Sequence, residues 1–350
     1  MGAMRIGLLT GGGDCPGLNA VIRAVVVAGS VVHGDTSVGF IDGWKGVLDG
    51  RVVELDVERC RGILTQGGTI LGTSRTNPFA TPEGPGRALA TVESLGLDAV
   101  VAIGGDDTLG AADRLFQQGL AVVGVPKTID NDLAGTEVTF GFDTAVQIAT
   151  EAIDRLQTTA ESHHRVMVCE VMGRNVGHIA VHAGMAGGAA EILVPEEPFS
   201  VEAVCERLTR RHRGGRFFST VVVAEGATVA DAVSGDVPGS DAGPTDQFGH
   251  ARLGGIGAFL ADEIERRTGY ESRATVLGHI QRGGTPTAFD RVLATRFGTE
   301  ALAAVHDGDF GTMVALNAGR IDRIPLSEAT GTPRTVDRAL LHDVAGPHLG

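Results

Sequence analysis

Aromatic side chains are scarce. They make up 4% of the chain, with a single Trp and a single Tyr, so the sequence offers no platform of rings on which nucleobases could stack. Trp44 is the one ring that could take a base, and it reads first as a packed loop anchor. Positive charge is also in deficit, with 29 Lys and Arg against 43 Asp and Glu and a net charge of −14. That balance excludes non-specific binding of nucleic acid, which needs a basic patch. Cysteine is limited to Cys15, Cys60, Cys169 and Cys205, with no CxxC pair. A zinc site or a disulfide framework is excluded, and a reducing compartment suits the chain. No apolar run reaches the roughly 20 residues needed to span a membrane. The N-terminus lacks the basic-then-apolar pattern of a signal peptide. The chain reads as a soluble, cytoplasmic protein.

What is present is an alternation of apolar runs with amphipathic segments over almost the whole length. The runs at 5–9, 37–41, 98–103, 121–125, 166–171, 191–194, 220–224 and 274–277 read as strands. Between them lie helical patterns, the clearest with Phe142, Val146, Ala149, Ile153 and Leu156 on one face. This alternation predicts an α/β protein of βαβ units with mainly parallel sheets, and the length and 43% hydrophobic content suffice for two domains. A boundary is expected after Asp132, where 133–142 is polar and turn-rich. Residues 231–250, rich in Gly, Asp, Ser and Pro without periodicity, read as a mobile surface insertion.

Three loops at predicted strand ends carry the chemistry. The first, Gly11-Gly12-Gly13-Asp14-Cys15-Pro16-Gly17, joins a strand to a helix starting near Leu18 or Asn19. It suits an anion at a helix N-terminus. A dinucleotide reading, with Asp42 on a ribose, needs GxGxxG, and the spacing here is GxGxxxG with Pro16 interrupting it. The second and third loops, Gly104-Gly105-Asp106-Asp107 and Lys127-Thr128-Ile129-Asp130-Asn131-Asp132, follow neighbouring apolar strands. Asp106 alone would read as a cap for a helix over 108–118. Four carboxylates in two such loops cost stability unless a cation or a function offsets them. Strand ends of open α/β sheets are where ligands bind, and carboxylates beside glycine-rich loops suit magnesium and phosphate. The pattern points to phosphoryl transfer.

With these loops in hand, the chain resembles the phosphofructokinase family along nearly its whole length. The resemblance is carried by Gly11-Gly12-Gly13-Asp14, Gly67-Gly68-Thr69 with Leu71-Gly72 and Arg75, Gly104-Gly105-Asp106, and Thr128-Ile129-Asp130-Asn131-Asp132. It continues through Glu170-Val171-Met172-Gly173-Arg174, Ala224-Glu225-Gly226 and Arg273-Ala274-Thr275-Val276-Leu277-Gly278-His279-Ile280-Gln281-Arg282-Gly283-Gly284.

The resemblance implies two similar three-layer α/β domains with the active site in the cleft between them. One, 1–141 plus about 281–331, would take the phosphoryl donor. The other, 142–280 plus about 332–350, would take fructose 6-phosphate, whose 1-hydroxyl is phosphorylated. Asp130 would be the base, with Thr128, Asp132 and Arg174 beside it, and Asp106 would hold Mg2+. Gly12, Gly13, Arg75, Gly105, Asp107 and Lys127 would meet the donor. Arg165, Met172, Gly173, Glu225, Arg273, His279 and Arg282 would read the sugar phosphate. In the family, arginines matching Arg165 and Arg273 reach into a neighbour's site, which implies a homodimer or homotetramer with shared active sites.

The donor is argued from a departure. ATP-dependent members usually carry glycine where Asp107 stands, which leaves room for the α-phosphate. Two unit charges about 4 Å apart at an effective dielectric near 20 repel by roughly 4 kcal/mol, so Asp107 disfavours a third phosphate. Asp107 with Lys127 resembles the pyrophosphate-dependent branch, which runs the reaction reversibly and serves glycolysis and gluconeogenesis. The alternative is an ATP-dependent enzyme that tolerates Asp107. Retention of Asp106, Asp130 and Arg174 argues against a non-catalytic regulatory subunit. Arg23 stands where regulated members bind a nucleotide effector, but Val27 replaces a common arginine.

Overall fold

The structure, a computed structural model, describes residues 2–230 and 253–349; the insertion expected at 231–250 lies outside the described residues. The chain forms two compact units, Met1–Thr144 with Arg282–Pro333, and Ala145–Gln281 with Arg334–Gly350.

The first unit is built on a seven-stranded sheet. Its strands are β1 (Arg5–Thr10), β2 (Thr36–Phe40), β3 (Val52–Leu55), β4 (Ala99–Gly104) and β5 (Val122–Pro126). Strands β6 (Val166–Val171), β7 (Glu191–Leu193), β8 (Ser219–Ala224) and β9 (Ser272–Val276) belong to the second unit, and β10 (Thr312–Asn317) and β11 (Arg320–Pro325) return to the first. The order in the large sheet is β11-β10-β5-β4-β1-β2-β3. Its five middle strands are parallel, and β3 and β11 pair antiparallel at the two edges. Strand residues are buried on both faces, as a parallel sheet requires. Leu9, Val100, Ala102 and Val122 share one core with Trp44, Ala88 and Leu109 from three covering helices. Elsewhere in this unit the helices Leu18–Ala28 and Ala288–Asp307 pack so closely that a Cβ on Gly298 would lie 2.8 Å from the Ala24 methyl.

The second unit holds a four-stranded, all-parallel sheet in the order β7-β8-β6-β9. Val166, Val168, Val221 and Val223 pack there against Val204 and Leu208 of the helix Val201–Arg213 and Leu260 and Ile264 of the helix Ile256–Thr268. Buried Glu170 accepts hydrogen bonds from the amides of Gly257 (2.8 Å) and Gly255 (3.4 Å). A carboxylate thereby satisfies donors at a helix N-terminus and complements its dipole.

All eight expected strands are present within two residues at either end. Three were not expected. β3 is a short, half-exposed edge strand, and β10 and β11 form a hairpin whose turn places Ala318 at φ 48° and Gly319 at φ 77°. Alanine in a left-handed turn position gives no sequence signal. The division between the units falls at Thr144, past the turn-rich segment 133–142. Residues 133–142 stay with the first unit because their polar groups bond back to it: Thr136 Oγ1 accepts from Leu316 N at 3.0 Å and Asn131 Oδ1 from Thr139 N at 3.0 Å. The helix expected over 108–118 runs from Asp106 to Phe116, with Gly105 at its N-cap. The four cysteines are free and buried. Among the described residues no helix is long and apolar enough to cross a membrane.

The helix Phe142–His163 begins against that of Ala288–Asp307 through an enclosed polar network. Asp290 Oδ2 accepts from Thr144 N (2.8 Å) and Thr144 Oγ1 (2.5 Å), while Thr287 Oγ1 donates to Asp143 (2.6 Å). Burial outweighs these bonds and pushes the Asp290 carboxyl up to about 6. The folded chain therefore holds a proton that the unfolded chain releases near pH 4, and the associated stability disappears as pH rises to 6. Replacement Asp290→Asn should remove that dependence. Urea denaturation at pH 4.5 and 7 should show wild type losing about 2 kcal/mol more than the variant over this range, and parallel behaviour of the two would refute the assignment.

Candidate active site

The register Gly104↔Pro126 between parallel β4 and β5 brings the two acidic loops side by side at the carboxyl ends of their strands. The strand register Thr10↔Ile103 sets the glycine loop next to them. Gly11 N donates to Ile103 O at 3.0 Å. A Cβ at Gly11 would stand 2.5 Å from Thr108 Oγ1, which explains glycine there.

The glycine loop is tied on every side. Gly12 takes φ 77°, its amide donates to Ser74 O (3.1 Å) and its carbonyl accepts from Thr73 Oγ1 (2.6 Å). The amide of Gly12 is thus committed within the protein. What Gly12 contributes is its conformation and the absence of a side chain, since a Cβ would reach within 3.5 Å of Lys127 Nζ. Lys127 is buried and its ammonium donates to the Gly13 carbonyl. Burial holds its pKa below the usual lysine range, and the charge of Arg282 adds to the effect.

Arg282 lies at the start of the first unit's second segment, where Nη1 donates to Asp14 O at 3.3 Å and a Cβ on Gly13 would collide with its guanidinium at 2.3 Å. Two cations therefore bracket the glycine loop. Arg75 is exposed in the segment that follows Ser74. The dinucleotide alternative loses its acid: Asp42 pairs with Arg51 at 3.1 Å.

Asp106 and Asp107 form the first turn of the helix Asp106–Phe116, where they face its positive end. Asp106 Oδ1 accepts from Gly331 N at 3.2 Å. In the neighbouring loop Thr128 Oγ1 accepts from Asp130 N (3.1 Å) and also bonds the Asp132 side chain, so one hydroxyl links both aspartates. Asn131 makes the turn between them at φ 54°. Burial raises the pKa of Asp132, and the nearby Asp106 charge raises it further. Asp130 Oδ1 is shielded from solvent. Thr139, unremarked in the sequence, is fully buried and donates to Thr128 O at 2.7 Å.

Among the described residues no three acidic, His or Cys groups form a metal cage. Asp106 is near enough to Asp132 for its charge to raise the Asp132 pKa.

In the second unit the pairs Val171↔Ala224 and Glu170↔Val276 align the carboxyl ends of β6, β8 and β9. Met172, Gly173 and Arg174 follow β6, Glu225 follows β8, and His279 follows β9. The loops are joined by Glu225 N to Val171 O (2.8 Å) and Gly226 N to Gly173 O (3.1 Å). Met172 is buried, Glu225 and Arg174 are half-buried, and His279 is exposed. Gly173 sits at φ 138°, where a Cβ would meet Val176 O at 2.6 Å.

Arg165 and Arg273 are not brought to this end. Arg165 precedes β6 and Arg273 pairs in register with Met167, both at the amino ends of the strands. At about 3.3 Å per residue, Arg165 lies roughly 20 Å along β6 from Met172. Glu271 pairs with both arginines, at 2.8 and 2.6 Å.

The family profile of phosphofructokinase matches residues 5–305. The pyrophosphate–fructose 6-phosphate 1-phosphotransferase of Streptomyces coelicolor is 58% identical, with 97% of this chain and 98% of that one covered. The ATP-dependent 6-phosphofructokinase 3 of the same organism is 54% identical over 96% of this chain and 97% of its own. The crystal structure of a pyrophosphate-dependent phosphofructokinase from Marinobacter aquaeolei shares the fold, with a TM-score of 0.82 over 99% of this chain and 92% of that one at 22% identity.

Loss of the Thr139 hydroxyl should loosen the acidic loop. Thr139→Val leaves the Thr128 carbonyl buried and unpaired, a cost of about 1–3 kcal/mol, to be read as a lower urea midpoint with an unchanged slope; an unchanged midpoint would show that this bond supports nothing.

Proposed function

The chain belongs to the phosphofructokinase family, and on that footing we propose that it reversibly transfers a phosphoryl group from pyrophosphate to the 1-hydroxyl of D-fructose 6-phosphate. The products are fructose 1,6-bisphosphate and inorganic phosphate. The observation that carries the choice of donor is Asp107, the second carboxylate in the first turn of the helix Asp106–Phe116. A helix N-terminus ordinarily attracts phosphate. Here two carboxylates of the protein already occupy that positive end. A third phosphate of a nucleotide would meet a charge of its own sign, whereas pyrophosphate has none to place there.

The residues divide by task. Asp130 accepts the proton of the 1-hydroxyl as that oxygen attacks phosphorus. Thr128 holds the loop backbone and bonds Asp132, which sets the carboxylate pair in position. Asp106 would hold Mg2+ with support from Asp132; such an ion offsets the charge of the phosphates when bound. Lys127 and Arg75 supply positive charge on the donor side, with Gly12, Gly13 and Gly105 leaving room for it. Arg174 stabilises the group in transfer. Met172, Gly173, Glu225 and His279 at the strand ends of the second unit read the sugar, Glu225 by accepting from its hydroxyls. Arg282, beside the glycine loop, grips the 6-phosphate of the sugar. Positioning and fixed charge of this kind are what phosphoryl transfer requires.

Arg165 and Arg273 stand too far from the sugar-side residues of their own chain to serve the same molecule. They fit the site of a second copy, which makes the enzyme a homo-oligomer with shared sites.

Initial rates with fructose 6-phosphate and Mg2+ test the donor. Pyrophosphate should support turnover and ATP little, and Asp107→Gly should raise kcat/KM for ATP at least about tenfold, a gain of roughly 1.4 kcal/mol. Turnover with ATP alone in the wild type would reverse the reading. Sharing of sites is tested by co-expression. Asp130→Ala and Arg273→Ala chains, each nearly inactive alone, should recover activity when mixed, because one site of a mixed pair is intact; no recovery would confine each site to one chain.

A further inference from the structure

The loop that carries Met172, Gly173 and Arg174 ends at Gly177, the N-cap of the helix His178–Ala186. Its start is fixed by β6 and by the bond from Gly226 N to Gly173 O at 3.1 Å. Its far end is held by a side chain outside the sequence motifs, that of Glu196. Gly177 N donates to both carboxylate oxygens, at 3.1 Å to Oε1 and 3.0 Å to Oε2. Oε1 also accepts from Val336 N at 2.9 Å. One half-buried carboxylate therefore joins the loop to the segment that begins at Arg334.

A second bond lies beside the first. His178 is buried, and its Nε2 meets Arg334 O at 3.0 Å. A carbonyl can only accept, so Nε2 carries the proton of this bond. Burial holds the imidazole below the usual histidine range, which keeps it neutral near pH 7. Val336 is itself buried, so residues 334–336 are seated against the second unit at both bonds.

A carboxylate at a helix N-terminus complements the dipole, and that alone would account for Glu196 on Gly177. It does not account for Val336, nor for how closely the loop is confined. A Cβ on Gly177 would lie 2.3 Å from Val194 Cγ1 and 3.2 Å from Glu196 Oε2, so the loop end is pressed onto the chain leaving β7. At the other side a Cβ on Gly226 would lie 1.9 Å from Arg174 O. Only Asn175 and Val176 separate Arg174 from Gly177. The Val176 carbonyl closes the loop on itself, 2.6 Å from where a Cβ on Gly173 would stand. A shift of Gly177 is thus passed on to Arg174.

We propose that Glu196 is a positioning residue for Arg174, acting through Gly177, with residues 334–336 as the outer half of the brace. The inference rests on the role given above to Arg174, which meets the group in transfer. A residue that aligns such a group changes the transition state more than the binding of the sugar.

Glu196→Gln keeps the size of the side chain and removes one acceptor and the charge. Rates are measured with fructose 6-phosphate, Mg2+ and whichever of pyrophosphate and ATP the wild type uses. The variant should show kcat lowered at least about tenfold, with KM for fructose 6-phosphate changed less than about twofold. In an Arg174→Ala background the same substitution should lower kcat less than about twofold, because the group it aligns is gone. Glu197→Gln is the control: that carboxylate meets His342 at 2.8 Å and Arg338 at 3.6 Å, farther along the same segment, and kcat should stay at the wild-type value. Hydrogen exchange of the full chain, read by mass spectrometry, should quicken in Glu196→Gln over 174–178 and 334–337 and stay unchanged in β8. Equal fractional losses of kcat in the two backgrounds, a loss confined to KM, or an equal loss in Glu197→Gln would overturn the positioning role. Unchanged exchange over 174–178 would overturn the brace. A wild type silent with both donors would overturn the reaction, and this role with it, whereas an active wild type matched by Glu196→Gln would overturn this role alone.

Discussion

The site in the first unit depends on one constraint, the crowding of negative charge where β4 and β5 end. Their register places Asp106 and Asp107 beside the loop of Asp130 and Asp132. Like charges at such distances repel by several kcal/mol unless opposed. The fold opposes them with the positive end of a helix, with a raised pKa at Asp132, with the buried ammonium of Lys127 and with Arg282 against the glycine loop. Thr128, Asn131 and Thr139 then hold the acidic loop by hydrogen bonds of the backbone and side chains.

The second unit solves a different problem with the same architecture. Its parallel sheet carries Met172, Arg174, Glu225 and His279 at the carboxyl ends of three adjacent strands, while Arg165 and Arg273 stand at the amino ends. A parallel sheet has a direction, so residues at its two ends cannot serve one small molecule. This polarity, rather than any single contact, underlies the proposal that sites are shared between copies.

Much of this was legible in the residues. Parallel strands buried on both faces read as continuous apolar runs, and all the strands of that kind except β10 were found. The edge strands β3 and β11 were not, because half-exposed edges carry no such run. The acidic loops and the glycine loop were legible as glycine and aspartate at the ends of apolar runs. Thr139, Ser74 and Glu170 were not. Each acts through one hydrogen-bonding group on a partner that only the folded chain brings near, Thr139 on Thr128, Ser74 on Gly12 and Glu170 on Gly257.

The sequence by itself determined the class of fold, the family and the set of residues available for chemistry, because these rest on local patterns: apolar period, glycine where backbone turns sharply, carboxylates in loops. Tertiary structure alone decided how those residues are used. It turned the Gly12 amide inward to Ser74, set Lys127 and Arg282 around the glycine loop, sealed Trp44 in the core with its indole N–H on the Thr108 carbonyl, and left Arg165 and Arg273 at the far end of their sheet. Direction, burial and pairing depend on neighbours distant in the chain, and no local pattern encodes them.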